Sequence, residues 1–98
     1  MIIAIDYDKV FCKDPHLWLS FIEAASARHE VYCVTMRDCP KDEEATDVYK
    51  QLGGVIPILW AEGVGKRKAF AELGVAVNVW IDGKPESILN PSSSTDSA

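Results

Sequence analysis

No apolar run in the chain approaches the roughly 20 residues that a membrane-spanning helix needs, and no basic, apolar leader with a small-residue cleavage site opens it. Those two absences predict a cytoplasmic chain without a membrane partner. Cysteine is scarce: Cys12, Cys33 and Cys39 are odd in number and form no CxxC pair. That pattern argues against a disulfide framework and against a zinc knuckle, and predicts reduced thiols. Cys39, beside Pro40 in a predicted loop, is the cysteine expected to be most exposed, yet no nearby histidine would activate it as a nucleophile. Histidine is rarer still, and His16 and His29 lie on polar ground at the two ends of a predicted helix, which suits surface residues better than ligands. Positive charge is also in short supply. Ten Lys and Arg stand against fifteen Asp and Glu, a net charge of -5, which argues against a broad nucleic-acid surface while leaving single ends and small anions open. There is no internal repeat and no second domain.

What is present is an ordinary globular composition, 48% hydrophobic and 26% charged over 98 residues. It predicts one domain, residues 1–90, with a core but little to spare. The first eleven residues, MIIAIDYDKVF, organise the rest. Ile2, Ile3, Ala4 and Ile5 run unbroken into Asp6, Tyr7 and Asp8, and such a run suits a strand buried on both faces. Two carboxylates then stand just past its carboxyl end, the side on which α/β sheets place their ligands. They repel each other unless a cation, a proton or a partner intervenes.

Asp14 followed by Pro15 is a helix-start signal. Leu17, Trp18, Phe21, Ile22 and Ala25 then recur at the spacing of one buried face, predicting a helix over 15–28. Val31 to Thr35 is a second apolar run, ending in Thr35, Met36, Arg37 and Asp38. Pro40 to Leu52 predicts a more solvated helix stopped by Gly53 and Gly54, with Asp42, Glu43 and Glu44 in its first turn, facing the positive end of the dipole. Val55 to Trp60 is a third run, marked by Pro57 as an edge or distorted strand. Lys66 to Leu73 predicts a helix with Ala69, Phe70 and Leu73 inward, closed by Gly74. Val75 to Ile81 is a fourth strand running into Asp82, and residues 91–98 predict a disordered tail. This alternation of strands and helices describes a parallel α/β sheet with right-handed crossovers. The short connections leave no room for a cap inserted over the site.

In a parallel sheet the strand ends bring Asp6, Asp8, Thr35, Lys66 and Asp82, with Glu86 one turn on, to one rim. Three acids, a hydroxyl and an ammonium suit magnesium-assisted phosphoryl transfer: carboxylates hold the hard cation, while hydroxyl and ammonium bind the equatorial oxygens. Lys66 competes for that place with Lys68. The Asp82–Gly83 pair has a competing reading as a hairpin turn, with Ser87 to Leu89 as a return strand.

The order DYDKV after the first strand, Thr35 after the second, Lys66, and WID ending in Asp82 resembles the haloacid-dehalogenase-like (HAD) phosphohydrolases in a minimal, capless form, over about residues 1–90. The resemblance implies a three-layer, Rossmann-like parallel sheet of four main strands with helices on both faces and no cap domain. It implies a magnesium-dependent phosphatase acting on a small phosphorylated substrate. Asp6 would be the nucleophile and Asp8 the general acid and base. Thr35 and Lys66 would bind the phosphoryl group, and magnesium would be held by Asp6, the backbone carbonyl of Asp8, Asp82 and, at a later spacing, Glu86. Two positions depart from the family pattern: Lys9 stands where many members have glycine, and Gly83 where many have a second acid. Two other classes compete with an enzyme. A phospho-accepting receiver module needs an aspartate at the end of a middle strand, which VIPILW does not offer. A non-catalytic relative that binds metal or phosphate is suggested by Gly83.

Overall fold

The structure, a computed structural model, describes residues 1–91, so all but the first residue of the expected tail lies outside the described residues. Four strands, β1 (Ile2–Asp6), β2 (Glu30–Thr35), β3 (Ile58–Trp60) and β4 (Val79–Ile81), alternate with four helices, α1 (Pro15–Ser26), α2 (Asp47–Leu52), α3 (Lys66–Glu72) and α4 (Glu86–Leu89). The protein is α/β, and the sheet has the order β3-β2-β1-β4 with every neighbouring pair parallel. β1 is central, pairing Ile5 with Cys33 on one side and with Ile81 on the other. β3 lies at an edge, immediately after Pro57, where the missing amide hydrogen costs no ladder bond. No helix among the described residues is long and apolar enough to cross a membrane.

Side chains alternate across the sheet and build a core on each face. Ile3, Ile5, Val31 and Cys33 pack with Ile22 of α1 and with Val48 and Leu52 of α2. Ala4 and Val34 face the other way, onto Ala69 and Phe70 of α3. Phe70, fully buried, meets Tyr32 and Trp80 edge-on at 5.4 and 5.6 Å, and burying such a ring contributes roughly 1.5–3 kcal/mol. The chain therefore leaves β1 toward the face of α1 and α2. It leaves β4 toward α4, which packs against α3. Connections that diverge in this way from adjacent parallel strands open a crevice at their carboxyl ends.

Several elements are shorter than the pattern predicts, each for a local reason. α1 starts as expected, with the Asp14 carboxylate accepting from the Leu17 amide at 3.2 Å and Pro15 in the first turn. It ends at Ser26. Leu17 is exposed, because it lies about a quarter turn from the middle of the stripe made by Trp18, Phe21, Ile22 and Ala25. The helix expected from Pro40 begins only at Asp47: Thr46 adopts an extended conformation and its hydroxyl accepts from the Tyr49 amide at 3.1 Å. A competent cap placed there starts the helix there. Asp42 thus precedes the helix, Glu43 and Glu44 fall in a separate 3₁₀ turn, Glu43–Ala45, and Asp47 is the acid of the first turn. Leu73 is exposed because it caps α3 just before Gly74, whose φ of +75° turns the chain away.

β4 pairs only from Val79, which lies opposite Ile3 of β1. Asn78 closes that end, donating its amide to the Ile2 carbonyl at 2.8 Å and accepting the Ile2 amide on Oδ1 at 2.8 Å. Ser87 to Leu89 belongs to α4 and is not a return strand, and β4 runs parallel to β1, so Asp82–Gly83 is not a hairpin.

Candidate functional site

Asp6 closes β1 and Asp82 follows β4, so the parallel register of the two strands sets their carboxylates side by side at the crevice. One ammonium joins them: Lys66 Nζ donates to Asp6 Oδ1 at 2.7 Å and to Asp82 Oδ2 at 2.6 Å. The three side chains are 2–3% exposed, a burial tolerable for charges only when they are paired. Lys66 is the first residue of α3, where the helix dipole opposes a cation, and two carboxylates compensate. The residue before it, Gly65, lies against the end of α4, where a β-carbon would be 2.7 Å from the Leu89 carbonyl oxygen. Lys68 is exposed on the same helix, so Lys66 is the lysine that reaches the acids.

Backbone amides complete the pair. Lys9 donates to Asp6 Oδ2 at 2.6 Å and Lys84 to Asp82 Oδ1 at 2.8 Å. Burial nevertheless raises the Asp6 carboxyl above its ordinary value, against the lowering effect of Lys66 and the Lys9 amide. Two negative charges facing one positive charge leave the cluster one unit negative.

Asp8 takes a different neighbourhood two residues later. Thr35, fully buried at the end of β2, donates its hydroxyl to Asp8 Oδ2 at 2.7 Å. Arg37 donates to Asp8 Oδ1 from Nε at 3.0 Å and from Nη2 at 2.6 Å. Its outer edge engages Asp47 at 2.8 and 3.3 Å, and this hydrogen bonding holds the Asp47 carboxyl below its usual range. The guanidinium lies over the Tyr7 ring at 5.4 Å. Tyr7 stacks on Phe11, and its hydroxyl donates to Gln51 Oε1. Burial first and Asp47 next push that phenol up to about 12.

The structure thus gathers Asp6, Lys66 and Asp82 into one cluster and sets Asp8 with Thr35 beside it. Glu86 is not brought in. It begins α4 exposed, and the next residue, Ser87, is the one turned inward, 3.4 Å from Asp82 Oδ2 and donating to the Lys84 carbonyl at 2.8 Å. Sequence reasoning gave no role to Arg37, Asp47 or Ser87. Arg37 carried a signal, a lone cation two residues beyond Thr35; for the others, only their packing identifies them.

Gly83 has a steric cause. A β-carbon there would lie 2.8 Å from both the Lys9 carbonyl oxygen and Lys9 Cβ, so the loops after β1 and β4 touch backbone to backbone. Gly83→Asp is therefore expected to destabilise the fold by about 1–3 kcal/mol, as overpacking does. Urea unfolding checks this, and an unchanged midpoint would refute the close approach.

Among the described residues, no three His, Cys, Asp or Glu side chains group closely enough to hold a metal ion. The donor chemistry still fits a magnesium ion, which is commonly bound by only one or two protein carboxylates, the remaining positions going to water and substrate phosphate. Asp6 and Asp82 already converge on one cation, and their cluster carries one uncompensated negative charge. Searches against family models, curated proteins and solved structures return no match to the chain.

Proposed function

We propose that the chain is a magnesium-dependent phosphatase of the HAD type, with a Rossmann-like domain and an open site, that hydrolyses a small phosphomonoester through an aspartyl-phosphate intermediate. The observation that carries this reading is the division of two neighbouring carboxylates. Asp6 is buried and faces a second acid across Lys66, while Asp8 faces a hydroxyl and a guanidinium.

In this reading the Asp6 carboxylate attacks phosphorus and the bond to the leaving oxygen breaks, with Asp8 supplying the proton that oxygen takes up. Water then attacks phosphorus while Asp8 receives its proton, the bond from phosphorus to the Asp6 oxygen breaks, and inorganic phosphate leaves with the Asp6 carboxylate regenerated. Lys66 and Thr35 lie beside these two groups and would bind the phosphoryl oxygens. Asp6, Asp82 and the Asp8 backbone carbonyl would hold magnesium, which when bound offsets the negative charge of the phosphoryl group. The loops between the described elements hold no insertion long enough for a cap, which suits a substrate approaching from solvent. A cytoplasmic setting with free thiols is part of the same reading. The competing reading is a non-catalytic binder of metal or phosphate, favoured by the lack of a third convergent carboxylate among the described residues.

Phosphate release from p-nitrophenyl phosphate, followed by a panel of phosphorylated metabolites and nucleotides, tests the proposal. Release is expected with magnesium and is expected to fall to background with EDTA. Magnesium binding by titration without turnover of any compound would favour the binder instead.

A further inference from the structure

The arrangement around Asp8 goes beyond what that chemistry requires of Thr35 alone. Each oxygen of the Asp8 carboxylate has its own donor: Thr35 holds Oδ2, and Nε and Nη2 of Arg37 hold Oδ1. Two points of attachment fix the rotation of the carboxylate plane as well as its position. Arg37 is held in turn. Nη1 and Nη2 engage Asp47 in the first turn of α2. Its Cζ lies 5.4 Å from the centroid of the Tyr7 ring, and Tyr7 is tied by its hydroxyl to Gln51 on the same helix. The backbone of Arg37 is also fixed, with its carbonyl accepting the Glu62 amide at 3.1 Å and its amide donating to the Thr35 hydroxyl at 3.3 Å.

A guanidinium so placed has two possible uses beside a phosphate site: to grip an anionic part of the substrate, or to orient a protein carboxylate. Here Nε, Nη1 and Nη2 are all engaged by carboxylates, which leaves little to offer an incoming anion. We propose that Arg37, clamped by Asp47, is a positioning residue that sets the Asp8 carboxyl group in the orientation from which it transfers a proton. The proposal rests on the phosphatase reading. In the step it serves, the bond from Asp6 to phosphorus forms, the bond from phosphorus to the leaving oxygen breaks, and that oxygen keeps the electron pair and takes the proton of Asp8. Proton transfer needs the acid within hydrogen-bond reach and aligned. A carboxylate free to swing on one hydroxyl would meet that requirement in fewer encounters.

Asp47→Asn loosens the clamp from its far end without touching Asp8, and Asp47→Glu keeps the charge. Full-length wild type and both variants would be assayed with magnesium on p-nitrophenyl phosphate, whose leaving group departs readily unprotonated, and on an alkyl phosphate, whose leaving group does not. For Asp47→Asn, kcat on the alkyl phosphate is expected to fall about five- to fiftyfold with KM within about twofold. The loss on p-nitrophenyl phosphate should be smaller, and Asp47→Glu should recover part of the rate. Unchanged kcat, a loss confined to KM, or equal losses on both substrates would overturn the clamp while leaving the phosphatase reading standing. An inactive wild type would overturn both.

Discussion

Asp6→Asn is expected to abolish turnover, by on the order of a thousandfold or more in kcat, while leaving the fold intact. Asparagine occupies nearly the same volume and its one side-chain oxygen can accept either the Lys9 amide or the Lys66 ammonium, but it cannot attack phosphorus. The more telling half of the result is stability. The wild-type cluster sets two buried carboxylates against one ammonium, and burial raises the Asp6 carboxyl despite that ammonium. A carboxyl raised in the folded state binds its proton more tightly there than in the unfolded chain, where it titrates near 3.8. Its contribution to stability is therefore fully present below the unfolded value and is lost as pH rises through the folded one. In EDTA, wild type should lose stability across that window above pH 3.8, and Asp6→Asn should lack this component. At neutral pH the variant should be within about 1 kcal/mol of wild type, or more stable. Urea midpoints over a pH series, read beside phosphate release, check both halves. A variant that turns over at the wild-type rate would remove Asp6 from the chemistry. One that unfolds far more easily would make it a structural residue.

Lys66→Met should have the opposite character. The thioether fills much of the lysine stem, but Asp6 and Asp82 then face each other with no cation at 2–3% exposure. Breaking a buried pair from one side costs about 3–5 kcal/mol, against a total stability of about 5–15 kcal/mol for a domain. In a chain this short, each kcal/mol lowers the melting temperature by roughly 4–8 °C, so thermal unfolding would show the loss plainly. Magnesium should stabilise Lys66→Met more than it stabilises wild type, because the two carboxylates then have no other cation. Equal melting temperatures for variant and wild type would mean that the pair is not held by this lysine. Loss of stability with no magnesium response would mean that Asp6 and Asp82 do not serve a divalent ion.

Individual elements show where sequence reasoning reaches its limit. Asp14 and Pro15 marked the start of α1 because a cap acts within a few residues of itself. Thr46 had the same chemistry, but it was obscured by the helix formers and acids before it, and the observed start of α2 moved to it. Leu17 and Leu73 match a helical spacing yet are exposed, since periodicity gives a face but not its width or where the neighbouring layer ends. The alternatives at Asp82 could not be separated by pattern, because an Asp-Gly pair serves a hairpin and a strand-end loop equally well. The parallel pairing of β4 with β1 separates them. Gly83 looked like a missing ligand and is a contact point between two loops.

Strand and helix alternation, the acidic end of β1 and the candidacy of Asp6, Asp8, Thr35, Lys66 and Asp82 were legible in the sequence alone. Each depends on hydrophobic periodicity or on short-range chemistry carried by adjacent residues. Tertiary structure decided the rest. It chose Lys66 over Lys68, left Glu86 in solvent and turned Ser87 inward. It also drew Arg37 to Asp8 from 29 residues away and Asp47 of α2 to the outer edge of Arg37. Those outcomes turn on distances between side chains far apart along the chain, and such distances exist only once the sheet has set its order and register.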